Sequence, residues 1–337
     1  MRIVHVVTSG RFAGVEQYVA RLATGQVALG HEVVVVGGAA EIMAPRLAEG
    51  RAGFVAAGSI VDSWRVLRAL PRPDVVGAHM TASETAALLP RSPALVPVVA
   101  TRHFARRRGQ SSARSLVLRG MDRLLAAQIA VSAYVAAHIG VAAQVVHPGV
   151  DARPDHPHPT GRRLLVMQRF EAEKETGVAI RAFAASGLRE QGWCLDVAGD
   201  GAEGPALRRL VAELGVSDAV RFLGFRLDGP ELMRGSSALL APSRLEAFGL
   251  TVLEAMASGL PVIAADGGAH RETVGSVTPE LLFAPGDHRA AAALLAGLAR
   301  DRARREEVGR ALRLAQRARF TTEHMARRVS EIYAGVA

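Results

Sequence analysis

The chain has 337 residues, more than one ordinary α/β core fills, and its length fits two domains of roughly 150 residues each. It is 49% hydrophobic with a net charge of +9, and its single cysteine, Cys194, excludes an intrachain disulfide and points to a reducing compartment. No apolar run approaches the roughly 18 residues of a membrane span, and the opening Met1-Arg2-Ile3-Val4-His5-Val6-Val7 is too short for a signal peptide, so a soluble cytoplasmic protein is expected. In chain order, β-branched runs alternate with amphipathic segments, the pattern of parallel βαβ units. Strands are predicted over 3–7, 33–37, 75–79, 96–100, 127–131 and 144–147, with helices between them. The clearest helix covers 15–29 and is ended by Gly30, with Val15, Val19, Leu22, Ala23 and Val27 on one face. The stretch 147–159 then brings four prolines and three histidines without apolar period, and reads as a solvated interdomain linker. His147, His156 and His158 have no carboxylate or cysteine partners at metal-ligand spacing. Further strands are predicted over 164–168, 194–198, 220–223, 238–241 and 262–265, which implies a second doubly wound sheet. The remainder is helical and arginine-rich, with no strand candidate after Leu281-Leu282-Phe283. The expected division is 1–150, 151–318, and a terminal helix over 319–337 that crosses back to the first domain.

The stretch from Pro242 to Ala264 is the richest in chemistry. Glu246 and Glu254 lie eight positions apart across a predicted strand-to-helix turn. Gly249 or Thr251 can start the helix, Leu253, Met256 and Ala257 give it an apolar face, and Gly259 with Pro261 stops it. Glu246 then sits on a loop at the carboxyl end of a strand, where open α/β sheets bind ligands, and Glu254 projects beside the same crevice. The amides of Gly249, Leu250 and Thr251, following Phe248, suit an anion such as a phosphate. Arg169 and Lys174 straddle the turn after strand 164–168, where a cationic pair can clamp a diphosphate. The alternative is a pair of surface charges beside Glu171, Glu173 and Glu175. Among 41 basic residues Lys174 is the only lysine, which favours a role that a compact, flexible ammonium serves better than a guanidinium.

Other segments weigh less. The loop from Ser9 to Glu16 opens the first helix, and Gly14 there permits close backbone approach to a ligand, but its spacing matches neither a dinucleotide fingerprint nor a Walker A loop. His103 follows strand 96–100 on the crevice side of the sheet, and His79 ends strand 75–79 in a similar, weaker position. Asp196, Asp200 and Asp266 form no Asp-x-Asp pair, so no protein-bound metal is expected. No Gly-x-Ser-x-Gly elbow occurs and Cys194 falls inside a strand, which leaves a nucleophilic hydrolase without an anchor. Arginines concentrate between Arg102 and Arg123, including Arg106, Arg107, Arg108, Arg114 and Arg119. With aromatics at 4% of the chain and only Phe104 interleaved, a nucleic-acid surface is disfavoured. A solvated or anionic-lipid-facing helix, in peripheral contact with a membrane, or attraction of an anionic substrate, fits better.

Taken in order, these elements resemble the retaining glycosyltransferases of family 4 over nearly the whole length. The resemblance is carried by Gly14-Val15-Glu16, Gly30-His31-Glu32-Val33, Pro73-Asp74-Val75-Val76 leading to His79, Thr101-x-His103, Val131-Ser132, His147-Pro148-Gly149-Val150-Asp151, Arg169-x4-Lys174, Val197-Ala198-Gly199-Asp200-Gly201, Phe222-Leu223-Gly224-Phe225 and Glu246-x7-Glu254. It implies the GT-B fold, two Rossmann-like doubly wound parallel-sheet domains facing a central cleft, with acceptor bound by the first domain and a nucleoside-diphosphate sugar by the second. It further implies that Glu254 accepts from the ribose hydroxyls and Glu246 holds the transferred sugar. Arg169 and Lys174 bind the diphosphate with amides near Gly14 and Gly249 to Thr251. His103 lies near the transferred sugar and the acceptor, and Gly224, Phe225 and Arg226 lie against the base. Transfer is then expected with retention, without cofactor or bound metal, to a hydroxyl acceptor that is a lipid, a polysaccharide or a secondary metabolite. Two departures stand out: Glu175 where the family often has glycine after the clamp lysine, and His147 where asparagine is common. A nucleotide-sugar 2-epimerase of the same architecture, and a non-catalytic sugar-nucleotide binder, remain as alternatives.

Overall fold

A computed structural model describes residues 1–89, 96–106, 120–155 and 161–337. They form two compact units, Met1–Gly149 with Phe320–Ala337, and Val150–Arg319. The first is built on β1 (Arg2–Val7), β2 (Glu32–Val36), β3 (Gly53–Val55), β4 (Val75–His79), β5 (Val98–Arg102), β6 (Ala127–Ala130) and β7 (Gln144–Val145). All neighbours in the order β3-β2-β1-β4-β5-β6-β7 pair in parallel. Parallel strands covered on both faces become near-continuous apolar runs, and Ile3, Val6, Val7, Val75, Val76, Val99 and Ala100 are completely buried. The strand order reverses between β1 and β4, which makes the carboxyl ends of these two strands the expected ligand position.

The helix Gly14–Ala28 follows β1. Glu16, itself buried, closes its start by accepting from the Ala13 amide at 2.9 Å and from the Ser9 hydroxyl at 2.5 Å. Val27, expected on the apolar face, is only partly buried, while the polar Gln26 is fully buried. Gly25 faces the helix Thr322–Ala334 so closely that a Cβ would stand 2.8 Å from that of Ala326. The terminal helix thereby packs on the first unit. Strand β3 was not among the predicted strands; at three residues on the sheet edge it carries little periodic signal. β5 starts two residues later than predicted because Pro97 has no N–H to give the ladder.

The second unit contains β8 (Arg163–Met167), β9 (Cys194–Ala198), β10 (Val220–Gly224), β11 (Ala238–Ala241), β12 (Val262–Ala265) and β13 (Leu282–Phe283), parallel in the order β10-β9-β8-β11-β12-β13. Here the order reverses between β8 and β11. Cys194 opens β9 and is half-buried, a correction to its expected place in the strand interior. The expected solvated linker is also corrected in part. Pro148, Gly149 and Val150 are buried, His147 packs edge-on against Phe320 at 5.5 Å, and Gln316 donates to the Val150 carbonyl at 2.8 Å. His156 and His158 lie outside the described residues.

Within the arginine-dense region, Arg102 is turned inward. It donates to Glu84 at 3.0 Å and to Asp122 at 2.6 Å, with Glu84 almost completely buried. Arg106 and Arg123 are exposed, and Arg107, Arg108, Arg114 and Arg119 lie outside the described residues. Among the described residues no helix is long and apolar enough to cross a membrane.

Candidate functional site

In the second unit three loops meet at the order reversal. After β8, Gln168 Nε2 donates to the Lys174 carbonyl at 2.8 Å and to Thr176 Oγ1 at 2.9 Å, which pins the turn between them. After β11, the stretch from Ser243 to Glu246 is stitched to that turn three times. Ser243 Oγ donates to the Glu173 carbonyl at 3.3 Å, Arg244 Nε to Glu175 Oε1 at 2.7 Å, and Lys174 Nζ to Glu246 Oε2 at 2.6 Å. After β12, Gly267 and Gly268 press against the same segment. A Cβ on Gly268, at φ +59°, would stand 2.1 Å from the Glu246 carbonyl oxygen, and one on Gly267 2.3 Å from that of Arg244. This close approach lets the Ala269 amide donate to the Glu246 carbonyl at 2.9 Å and sets His270 beside the Glu246 carboxylate.

Charge governs this cluster. Burial by itself raises the Glu246 pKa, but Lys174, His270 and the Phe248 amide outweigh it and hold the carboxyl below its ordinary range. Burial dominates at His270 and lowers its pKa, against the pull of Glu246 and of the Ala265 carbonyl that Nδ1 donates to at 2.9 Å. The side chains of Lys174 and Glu246 both keep 17% exposure, so the pair remains within reach of a ligand.

The expected helix runs from Leu250 to Ala257, with Gly249 as its cap at φ +90° and no side-chain hydrogen bond to its start. Glu254 is its fifth residue, in the second turn, and is nearly buried at 8% exposure. The Phe248 ring is buried, so that residue presents its backbone and not its ring. Arg169 extends into solvent and pairs with Glu173 at 3.3 Å, the surface-charge alternative, while Lys174 is partly buried against Glu246. Gly224 ends the edge strand β10 at φ +68°. Phe225 beyond it is 62% exposed, and Arg226 donates to Asp228 at 2.8 Å. Among the described residues no hydrogen bond or ion pair joins these three to the Lys174–Glu246 pair.

Glu175 adopts φ +50°, in the left-handed region, which explains the glycine that the family resemblance leads one to expect there. Its carboxylate instead engages Arg244. The three aspartates considered for metal binding are otherwise occupied: Asp196 accepts from Arg221 at 2.7 Å, Asp200 from the Gly201 amide at 2.8 Å, and Asp266 from Arg271 at 2.6 Å. Among the described residues no group of three or more histidine, cysteine, aspartate and glutamate side chains is placed to hold a metal ion.

The first unit carries a different cluster at its own order reversal. Gly14 is exposed at the start of its helix. His103, just past β5, is joined by hydrogen bonds to His79 on β4 (Nε2 to Nδ1, 3.0 Å) and through it to His5 on β1 (Nε2 to Nδ1, 3.1 Å). His5 Nε2 meets Gln26 Oε1 at 2.6 Å. The ring of Tyr18 stands edge-on to His103 at 4.9 Å. Burial lowers the pKa of His5 to about 4 and of His103 to about 3, and with its two histidine neighbours puts His79 well below the ordinary value. The row is therefore neutral at neutral pH. Sequence reasoning singled out His103 and, more weakly, His79; it missed His5, Gln26 and His270. The adjacency of β1, β4 and β5 creates the row. For His270 the signal was present in the Gly267-Gly268 pair directly after a strand.

The sequence matches a family model described as Glycosyl transferases group 1 over residues 151–315, and one described as Glycosyltransferase Family 4 over residues 12–153. The lipopolysaccharide core biosynthesis mannosyltransferase LpsB of Rhizobium meliloti (strain 1021) is 31% identical over 239 residues. That match spans 64% of this chain and 66% of that protein, just under two thirds of its length. LpcC of Rhizobium leguminosarum bv. viciae, a mannosyltransferase of the same description, is 27% identical over 96% of this chain and 93% of its own. Among solved structures, Anabaena HepE in complex with UDP and glucose superposes with a TM-score of 0.83 at 19% identity, covering 99% of both chains. At that identity the likeness is one of fold, and the fold is GT-B, two parallel-sheet α/β units in one chain.

Proposed function

Because the chain belongs to glycosyltransferase family 4, we propose that it moves a sugar from a nucleoside-diphosphate sugar to a hydroxyl acceptor, with retention and without a protein-bound metal. The observation that carries this reading is the Lys174–Glu246 pair, 2.6 Å apart, at the β8/β11 reversal. Glu246 holds the lone lysine extended over the strand ends, so the ammonium is already in place when a diphosphate arrives. A charge-assisted contact to the departing diphosphate stabilises the negative charge that grows as the sugar–phosphate bond breaks. The amides at the start of helix Leu250–Ala257 add a second donor set.

In this reading Glu246, with its ammonium partner drawn to phosphate, accepts from hydroxyls of the transferred sugar. Glu254, on the helix that the same loop feeds, takes the ribose hydroxyls. Arg169 reaches the diphosphate from solvent, and Gly224, Phe225 and Arg226 meet the base. The acceptor binds the unit that carries Gly14 and His103. Its oxygen attacks the anomeric carbon from the face that the diphosphate leaves, and its proton passes to the departing phosphate oxygen. The named relatives are mannosyltransferases of lipopolysaccharide core biosynthesis, and HepE is seen in complex with UDP and glucose, so a glycan or glycolipid acceptor and a UDP- or GDP-linked hexose are the first candidates. A cytoplasmic setting agrees with the single, unpaired Cys194.

The test is a panel of UDP- and GDP-sugars, each assayed for nucleoside-diphosphate release with and without glycan acceptors. Release stimulated by one acceptor is expected. An isomerised sugar nucleotide formed without acceptor, or binding without any turnover across the panel, contradicts transfer.

A further inference from the structure

We propose that Gln26, His5 and His79 are positioning residues that set the tautomer of His103, so that its Nδ1 meets substrate as an unprotonated hydrogen-bond acceptor. The direction of the chain is fixed at its buried end. Gln26 presents Oε1 to His5, while its Nε2 donates to Ser330 Oγ at 3.3 Å. His5 Nε2 stands 2.6 Å from Gln26 Oε1, and the two imidazole links are 3.1 and 3.0 Å long. A carbonyl oxygen can only accept, so His5 must carry its hydrogen on Nε2. A neutral imidazole has one N–H, which leaves His5 Nδ1 as an acceptor and requires the hydrogen of His79 on Nε2. The same step moves to His103: its Nε2 donates to His79 Nδ1, and its Nδ1 is left with a lone pair.

The surroundings keep all three rings neutral. His5 and His79 are completely buried, and His103 keeps 9% exposure. A second proton on His79 would set two N–H groups against each other at one link. Two tyrosine rings pack on the row, Tyr18 edge-on to His103 and Tyr333 at 6.0 Å from His5, and burial raises the pKa of both phenols, so neither brings charge. Among the described residues His103 Nδ1 has no hydrogen-bond partner. An acceptor-only nitrogen recognises an O–H and is repelled by a phosphate oxygen, so this end of the chain selects hydroxyls. That use in a sugar site rests on the function proposed above; the order of hydrogens does not.

Long-range 1H–15N correlation spectra of the full-length protein labelled at histidine nitrogens, recorded near pH 7.5, read each tautomer directly, with assignment from His5→Gln, His79→Gln and His103→Gln. All three histidines are expected to show a protonated Nε2 and an unprotonated Nδ1. In Gln26→Met, which keeps volume but removes the oxygen, His103 is expected to lose its single tautomer and show both, although it does not touch residue 26. A protonated Nδ1 on His103 in the wild type overturns the proposal, as does a His103 spectrum unchanged by Gln26→Met. Should that variant fail to fold, the wild-type spectrum still decides. A protein inactive toward every sugar nucleotide would refute the transfer reaction while leaving these spectra as expected.

Discussion

The two units put their candidate residues at the same point of the same topology, the carboxyl ends of the strands where the order reverses, but with opposite electrostatics. In the first unit a row of three histidines ends on a glutamine, is buried nearly throughout, and is held neutral by that burial. In the second an ammonium and a carboxylate stand 2.6 Å apart with part of each side chain still in water. A charge buried without a partner costs several kcal/mol, so a site meant to receive an anion must keep its cation paired and partly hydrated until the ligand arrives. A site meant to receive a hydroxyl has no such need and gains from rigidity. The contrast explains why the chain's only lysine lies in one unit while the histidine row is confined to the other.

Removing the carboxylate of the charged cluster has the largest expected effect. Glu246→Ala takes away the acceptor for the transferred sugar and the partner that orients Lys174, and turnover should fall roughly 100-fold or more, the scale for losing one preorganised polar contact to the reacting group. A steady-state rate within threefold of wild type would place the chemistry elsewhere.

Acid should then separate the units. A histidine whose folded pKa is depressed contributes stability that is fully present above its unfolded value near 6.5, and this is lost as pH falls toward the folded value. For His5, with a folded value of about 4, the loss between pH 6.5 and 4 is roughly 3 kcal/mol. Glu246, held below its ordinary range, loses its contribution only below that range, as pH falls from the usual carboxyl pKa toward its folded value. The chain has two tryptophans, Trp64 in the first unit and Trp193 in the second. Denaturation followed by fluorescence in Trp193→Phe and Trp64→Phe variants therefore reports each unit alone. Between pH 6.5 and 4 the Trp64 signal, from the unit with three histidines of lowered pKa, should weaken more than the Trp193 signal, whose unit has His270 lowered by burial, and His5→Gln should flatten part of that loss. Equal loss in both signals across this window would erase the distinction.

The smallest effect is expected at Glu175→Gly. Relief of the left-handed backbone favours glycine by about 1 kcal/mol, and loss of the half-exposed Arg244 pair offsets it by a similar or smaller amount. The thermal midpoint should move by no more than a few degrees; a large drop would show that the Arg244 link organises the loop.

Much of this was legible in the amino-acid order. Parallel strands buried on both faces announce themselves as Val- and Ile-rich runs, so β4, β9, β11 and β12 were placed within the residues they occupy. The helix after Gly249 and the place of the lysine loop and the glutamate loop at carboxyl strand ends followed from strand-end logic, whereas the direct Lys174–Glu246 pair did not. What could not be read depended on sheet order. His5, His79 and His103 become neighbours because β1 pairs with β4 and β4 with β5, adjacencies that no local window contains. Gln26 was hidden on a helix face whose apolar period pointed to Val27, and only the terminal helix packed against it turns that face into core. Arg169 and Lys174 were read as one clamp, with Lys174 marked out as the lone lysine; Arg169 pairs locally at the surface, and Lys174 crosses to the next loop.

Isothermal titration of the full-length protein with UDP and with GDP, for wild type, Lys174→Ala and His103→Ala, tests the division of labour most directly. One nucleotide should bind wild type, and Lys174→Ala should weaken it by about 1.5–3 kcal/mol, the scale for a hydrogen bond to a charged group. His103→Ala should leave that affinity within a factor of two while depressing turnover. Unchanged affinity in Lys174→Ala, or an equal loss in His103→Ala, would contradict the assignment of the anion to the charged cluster and of the hydroxyl to the neutral one.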